Sequence, residues 1–200
     1  MLSVLLLAAP PSVKAPAKRA PPALIEISTL IPDAAVELKY ATDDNFMKHA
    51  VYPSTAKCLV LAPLGEKLVT AAAALRAQGF RLKFYDCYRP HPVQYDLWKA
   101  YPVKGYVAVP ASGSNHNRGG AIDVTLISLE GNPVEMPTPF DTFSRAAHHS
   151  YQGGSKASLL NRKQLRDALE AVGLKRNPME WWHYELEEVL QFPLRDDPFN

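Results

Sequence analysis

From residue 23 onward, hydrophobic and polar positions recur with the spacings of a folded domain. Val36, Leu38 and Tyr40 alternate with polar or small neighbours, which predicts a half-buried strand over 35–41. Leu64, Leu68, Val69, Ala72 and Leu75 recur at helical spacing, Pro63 suits a first turn, and Gly79 sits where a left-handed cap belongs. Together they predict a helix over 63–78. RLKFYDCY (81–88) is rich in β-formers and stops before Pro90, which has no N–H for a ladder; a strand running into a turn at Arg89 follows. Val93, Leu97, Trp98 and Tyr101 suggest a short helix, and 105–120 is a loop of small and polar residues, long enough to suggest function. AIDVTLISL (121–129) predicts a strand, Gly131-Asn132 a turn, and 134–136 a returning hairpin strand. Residues 137–157 carry no clear period. Leu165, Leu169 and Val172 mark a helix stopped by Gly173, and EWWHYEL (180–186) reads as a last strand.

The elements come in mixed order, without regular βαβ spacing or any internal repeat. They predict one α+β domain with a central, largely antiparallel sheet flanked by helices, over 23–200. Residues 1–22 differ. Residues 2–9, apolar but for Ser3, are too few to cross a bilayer and resemble the core of a secretory signal without its basic start. Five prolines between Pro10 and Pro22 then disfavour helix and suggest an extended tether. This signal-like or disordered leader points to export into the periplasm or beyond, with a cytoplasmic location as the alternative.

Composition narrows the class. With 47% hydrophobic and 21% charged residues in 200, the chain is neither disordered nor collagen-like. Of its 22 basic residues, Lys14, Lys18 and Arg19 precede the first acidic one, Glu26, leaving 19 against 20 acidic. No basic stripe remains to neutralise a run of phosphates, so nucleic acid is not an expected partner, and nor is stable membrane insertion. Oligomeric state is not legible. Cys58 and Cys87 form no CxxC pair; a disulfide in an exported chain and two buried thiols both stay open.

Six histidines are present, and one stands out. His116 lies in the glycine-flanked loop SGSNHNRGG, seven residues before Asp123, a carboxylate inside an otherwise apolar strand. A lone charge there is costly unless it is paired, caps a turn or binds a metal; Arg118 is the nearby ion-pair alternative. Glu180 and His183 are three apart, so in a strand they face opposite sides. They can share a site only if Glu180 sits in a bend, which Pro178 makes feasible; otherwise EWWHYEL is an ordinary amphipathic edge strand. Two histidines and one carboxylate suit catalytic zinc, which keeps a fourth position open, and a separate glutamate beside it suits a proton acceptor.

The segments ELKYATDDNF (37–46), YDCYRPHPVQ (85–94), SNHNRGGAIDVTL (114–126) and EWWHYEL (180–186) together resemble the zinc-dependent D-alanyl-D-alanine dipeptidases, the family of the VanX enzymes of vancomycin resistance. The S-x-H-x6-D and E-x-x-H patterns are shared with related D,D-carboxypeptidases and endopeptidases. KYAT-x-x-NF, the YRP turn and the double tryptophan point more narrowly to the dipeptidases. The resemblance implies a small zinc peptidase domain holding one Zn2+ per chain through His116, Asp123 and His183. It makes Glu180 the general base and Arg89 the transition-state stabiliser; Arg89 could otherwise form an ion pair with Asp86 or Asp96. A free dipeptide needs an acidic group for its ammonium, for which Asp141 is the candidate, and Ser114 is expected to line the site or cap the turn to His116. Tyr40, Asp44 and the pair His148-His149 are open between site and packing roles. One departure is visible: Met47-Lys48 stands where the family leads one to expect a glycine. The implied activity is hydrolysis of the free dipeptide D-Ala-D-Ala. The alternatives are a cell-wall D,D-carboxypeptidase or endopeptidase of the same superfamily, or a non-catalytic zinc-stabilised binding domain.

Overall fold

Apolar alternation in two adjacent strands anchors the computed structural model, which describes residues 22–199; the expected leader, all but Pro22, lies outside them. In chain order the elements are β1 (Leu24–Glu26), α1 (Ile27–Leu30), β2 (Ala35–Val36), β3 (Leu59–Leu61), α2 (Ala62–Arg76), β4 (Phe80–Asp86), α3 (His91–Ala100), β5 (Ala121–Ser128), α4 (Lys156–Ala171), β6 (Leu174–Arg176) and β7 (His183–Leu186). The central sheet has the order β2-β4-β5-β7-β6, and β1 pairs with β3 in a separate ribbon. Only β2 and β4 run parallel; every other pair is antiparallel. This is the expected α+β architecture.

Leu82 and Phe84 on β4 face Leu126 and Val124 on β5, and all four are buried in one cluster with Leu64, Leu68 and Leu75 of α2 and Leu165 and Leu169 of α4. Each such side chain contributes about 1.5–3 kcal/mol by leaving water. The two long helices thus cover one face of the sheet. The opposite face is left to the irregular segments, and that is where the polar residues collect.

The helices follow their local signals. Pro63 lies in the first turn of α2, Gly79 takes φ 90° just past its end, and Ser155 caps α4 by accepting a hydrogen bond from the Ser158 amide at 3.0 Å. Three strand expectations need correction. The strand over 35–41 shrinks to β2, because after the Glu37 amide bonds Phe84 the chain closes into a 3-10 turn, Lys39–Ala41, that drives Tyr40 inward. The hairpin strand at 134–136 is reduced to a bridge between Ile127 and Pro133, whose imide nitrogen cannot extend a ladder. The last strand starts at His183, leaving Glu180 in the bend after Pro178, and it lies between β5 and β6 rather than at an edge.

Cys58 and Cys87 form a disulfide with Cα atoms 5.1 Å apart, deciding the open alternative and tying the start of β3 to the end of β4. Among the described residues, no helix is long and apolar enough to cross a membrane.

Candidate active site

The registers of β4, β5 and β7 place Asp86 beside Asp123, and Asp123 beside His183, in one row across the sheet. Strand periodicity alone would send Asp86 to the same face as Phe84. An irregularity between them re-aims it, as bulges do. His116 reaches the row from the loop, in a 3-10 turn, His116–Arg118, that Gly119 closes at φ 73°. The backbone locks this turn to β4's end: the Arg89 amide donates to the His116 carbonyl at 3.1 Å.

Three ligand atoms converge here. His116 Nε2 lies 3.0 Å from His183 Nδ1 and 3.3 Å from Asp123 Oδ1, and His183 Nδ1 lies 3.0 Å from Asp123 Oδ1. All three residues are buried. Tetrahedral zinc with bonds of about 2.0–2.1 Å separates its ligands by roughly 3.3–3.4 Å; one of the three separations matches and the other two are about 0.3 Å shorter, so a small outward shift of the side chains fits such an ion. The outer nitrogens are committed elsewhere. His116 Nδ1 donates to the Cys87 carbonyl at 2.8 Å, and His183 Nε2 donates to the Glu185 carboxylate at 3.0 Å. With an ion bound, those bonds would keep a proton on the far side of each ring and leave the converging nitrogens as lone-pair donors. Without an ion, burial works against charge on Asp123, but His116 and then His183 outweigh it and hold its pKa below the ordinary range. His183 is likewise disfavoured by burial, yet Asp123 and Glu185 push it up to about 10. Asp123 makes no pair with Arg118, whose guanidinium bonds the Phe192 and Ser112 carbonyls.

Glu180 is buried in the bend preceding β7 and accepts a hydrogen bond from Asn177 Nδ2 at 2.8 Å. The bend is pinned from the 3-10 turn Arg145–Ala147 and its flank: the Trp181 amide donates to Ala147 and the His149 amide to Pro178, both at 3.0 Å. Burial pushes Glu180 up to about 8; Asp123 adds to the effect, while His183 opposes it. A carboxylate poised this way exchanges protons near neutral pH.

Arg89 is buried too. Its Nε and Nη2 both donate to Asp86 Oδ2, at 3.0 and 2.7 Å, and Nη1 donates to Gln94 Oε1 at 2.8 Å. The ion-pair alternative with Asp86 therefore holds, while Asp96 is exposed and uninvolved. The same guanidinium lines the cavity and lies 5.2 Å from the Tyr40 ring centre. Tyr52 completes the support by donating to Asp86 Oδ1 at 2.9 Å.

The cavity is about 220 Å3, below the roughly 300–1,000 Å3 of sites for drug-sized ligands. Arg89, His116, Asp123, Glu180, His183, Ser114 and Asp141 all line it. Asp141 takes φ 56°, which Asp tolerates better than most residues, and accepts from the Tyr40 hydroxyl at 3.1 Å. Burial raises its pKa well above the ordinary range, and Asp123 and Glu180 raise it further. Ser114 does both things expected of it, lining the cavity while its Oγ accepts from the His116 amide at 3.3 Å. Asp44 is exposed and pairs with Lys39. His148 bonds the Tyr106 hydroxyl at 3.0 Å and His149 is buried, so neither steadies Asp141 or a ligand side chain directly. Lys48 adopts φ 60°, so the departure from the expected glycine falls on backbone in the left-handed region. Trp182 is a wall of the cavity, and Trp181 is core with its indole on Thr138.

Sequence reasoning missed Tyr52, Gln94, Asn177 and Glu185. Asn177-Pro178 is a turn signal that could have flagged the bend, and the period of two along β7 could have flagged Glu185 beside His183; Gln94 follows Arg89 by five residues across a turn, and Tyr52 reaches Asp86 only through tertiary pairing.

The sequence family described as D-ala-D-ala dipeptidase matches residues 22–199. A D-alanyl-D-alanine dipeptidase of Escherichia coli (strain K12) is 35% identical over 177 residues, covering 88% of this chain and 91% of that protein. One from Enterococcus faecium is 34% identical over 186 residues, covering 82% and 87%. One from Enterococcus faecalis is 34% identical over 192 residues, covering 82% and 90%.

Proposed function

The chain belongs to the D-Ala-D-Ala dipeptidase family of peptidases, and from that premise we propose that it is a zinc metallopeptidase hydrolysing the free dipeptide D-Ala-D-Ala to two D-alanines. The observation that carries this reading is the convergence of His116 Nε2, His183 Nδ1 and Asp123 Oδ1 to within 3.0–3.3 Å beside a buried glutamate. Two imidazoles with their outer protons accounted for, plus one carboxylate, make a donor set that suits one Zn2+ per chain. Bound there, zinc would supply a Lewis acid that polarises a peptide carbonyl and acidifies water.

The chain's own residues account for the remaining work. Glu180 takes the proton of the attacking water and delivers it to the departing amine, one carboxylate serving both steps. Arg89, fixed on two sides by Asp86 and Gln94, presents a permanent positive charge to the oxygen on which charge develops. Asp141, half-buried and oriented by Tyr40, receives the substrate ammonium, whose charge relieves the cost of an ionised carboxylate there. An acylated amine brings no such charge, so this end of the cavity selects a free N-terminus. Ser114 contributes to the lining.

We place the enzyme outside the cytoplasm. The apolar run at 2–9 supports this, and so does the Cys58–Cys87 disulfide, a bond that persists in oxidising compartments.

The test is D-alanine release from D-Ala-D-Ala beside L-Ala-L-Ala and N-acetyl-D-Ala-D-Ala. Cleavage confined to the free D,D-dipeptide is the expected result. Cleavage of the acylated peptide alone would make the protein a D,D-carboxypeptidase instead.

A further inference from the structure

Strand periodicity places His183 and Glu185 on the same face of β7, the face turned toward the cavity. Glu185 Oε2 accepts from His183 Nε2 at 3.0 Å while the opposite nitrogen of that ring faces Asp123 and His116. The same oxygen accepts from Asn115 Nδ2 at 2.7 Å, and Asn115 is the residue next to His116. One carboxylate therefore ties both histidine-bearing segments together. The two rings are supported differently: His116 Nδ1 bonds the Cys87 carbonyl at 2.8 Å with the Asp86 carboxylate farther off at 3.6 Å, whereas His183 Nε2 bonds a carboxylate directly at 3.0 Å.

We propose that Glu185 is a positioning residue for the metal centre, fixing the His183 ring and its tautomer so that Nδ1 binds a divalent cation more tightly. An acceptor on the outer nitrogen fixes the orientation of the ring, and a charged acceptor would also make the inner nitrogen a stronger donor to a bound ion. The carboxylate itself is not needed in the hydrolytic steps, which use Glu180, Arg89 and Asp141. This inference rests on His116, Asp123 and His183 being the metal ligands.

The test is zinc affinity, measured by competition with a chromophoric chelator, for the unmodified protein and for Glu185→Ala, Glu185→Gln and His183→Ala. Partners of metal-binding histidines are typically worth about 10–100-fold in metal affinity, and Glu185→Ala should lose that much. Glu185→Gln keeps an uncharged acceptor and should fall several-fold, between the other two. Cobalt-loaded Glu185→Ala should show altered visible d–d bands, which a defect in folding alone would not produce; thermal unfolding of the metal-free proteins separates the two. Unchanged affinity and unchanged cobalt bands in Glu185→Ala would overturn the proposal. Should that variant not fold, unchanged affinity in Glu185→Gln would overturn it. If the unmodified protein binds no zinc, or His183→Ala binds it as tightly, the ligand assignment itself has failed instead.

Discussion

His149 offers a prediction whose size follows from simple linkage. Its side chain is buried against Tyr184, with ring centres 6.0 Å apart, and neither ring nitrogen has a hydrogen-bond partner in the protein. Burial first, and then the positive charges of Arg176, Arg162 and Arg166, push its pKa down to about 3, against a weaker opposing effect of the Glu180 backbone. An unfolded histidine titrates near 6.5, so between these values the unfolded chain holds a proton that the folded chain does not. Stability contributed by the neutral ring is complete above about pH 6.5 and is lost as pH falls toward 3. At pH 5 the unfolded state has gained roughly 1.5 pH units of proton binding, or about 2 kcal/mol at about 1.36 kcal/mol per unit. His149→Phe removes the titration while keeping an aromatic ring beside Tyr184. Urea unfolding of the metal-free proteins at pH 8 and pH 5 measures the difference. The unmodified protein should lose about 2 kcal/mol more than His149→Phe over that interval. Equal losses would show that His149 accepts its proton in the folded state.

Glu180→Gln should retain one zinc per chain, read by metal analysis, while kcat falls by about two to four orders of magnitude; loss of the metal would contradict its place beside, rather than on, the ion. Arg89→Lys keeps a cation against the buried Asp86 but cannot form the two-pronged contact, and should lower kcat by about two to three orders of magnitude with little change in KM. A pure rise in KM would make Arg89 a binding residue. Asp141→Asn should raise KM for D-Ala-D-Ala by about 10–100-fold, the equivalent of one charged hydrogen bond; an unchanged KM would place the ammonium elsewhere.

Local signals were legible in the sequence, and distant ones were not. Pro63 and Gly79 bracket α2 because caps act within a turn of the helix end. Tyr40 misled because its alternation with Leu38 mimics a strand, whereas the chain there folds into a 3-10 turn. Strands β1, β3 and β6 have three residues each, too few to show a period. His116, Asp123, Glu180 and His183 stood out as motif residues, and the structure brings all four into one cavity. What holds them stood out only in part: the Asp86–Arg89 ion pair was among the expected alternatives, but the strand irregularity that aims Asp86, the Gln94 contact and the bond between Glu185 and Asn115 across 70 residues of sequence were not. The disulfide was undecidable for the same reason, since the pairing of Cys58 with Cys87 is set by how the start of β3 lies against the end of β4.

The central claim is that zinc held by His116, Asp123 and His183 drives hydrolysis of a free D,D-dipeptide. Stripping the protein of metal and titrating zinc back while recording D-alanine release from D-Ala-D-Ala tests it most directly. The account predicts no release without metal and a linear rise that levels off at one zinc per chain, with His116→Ala showing no rise at that stoichiometry. Release by the fully stripped protein, or full zinc-dependent activity in His116→Ala, would contradict it.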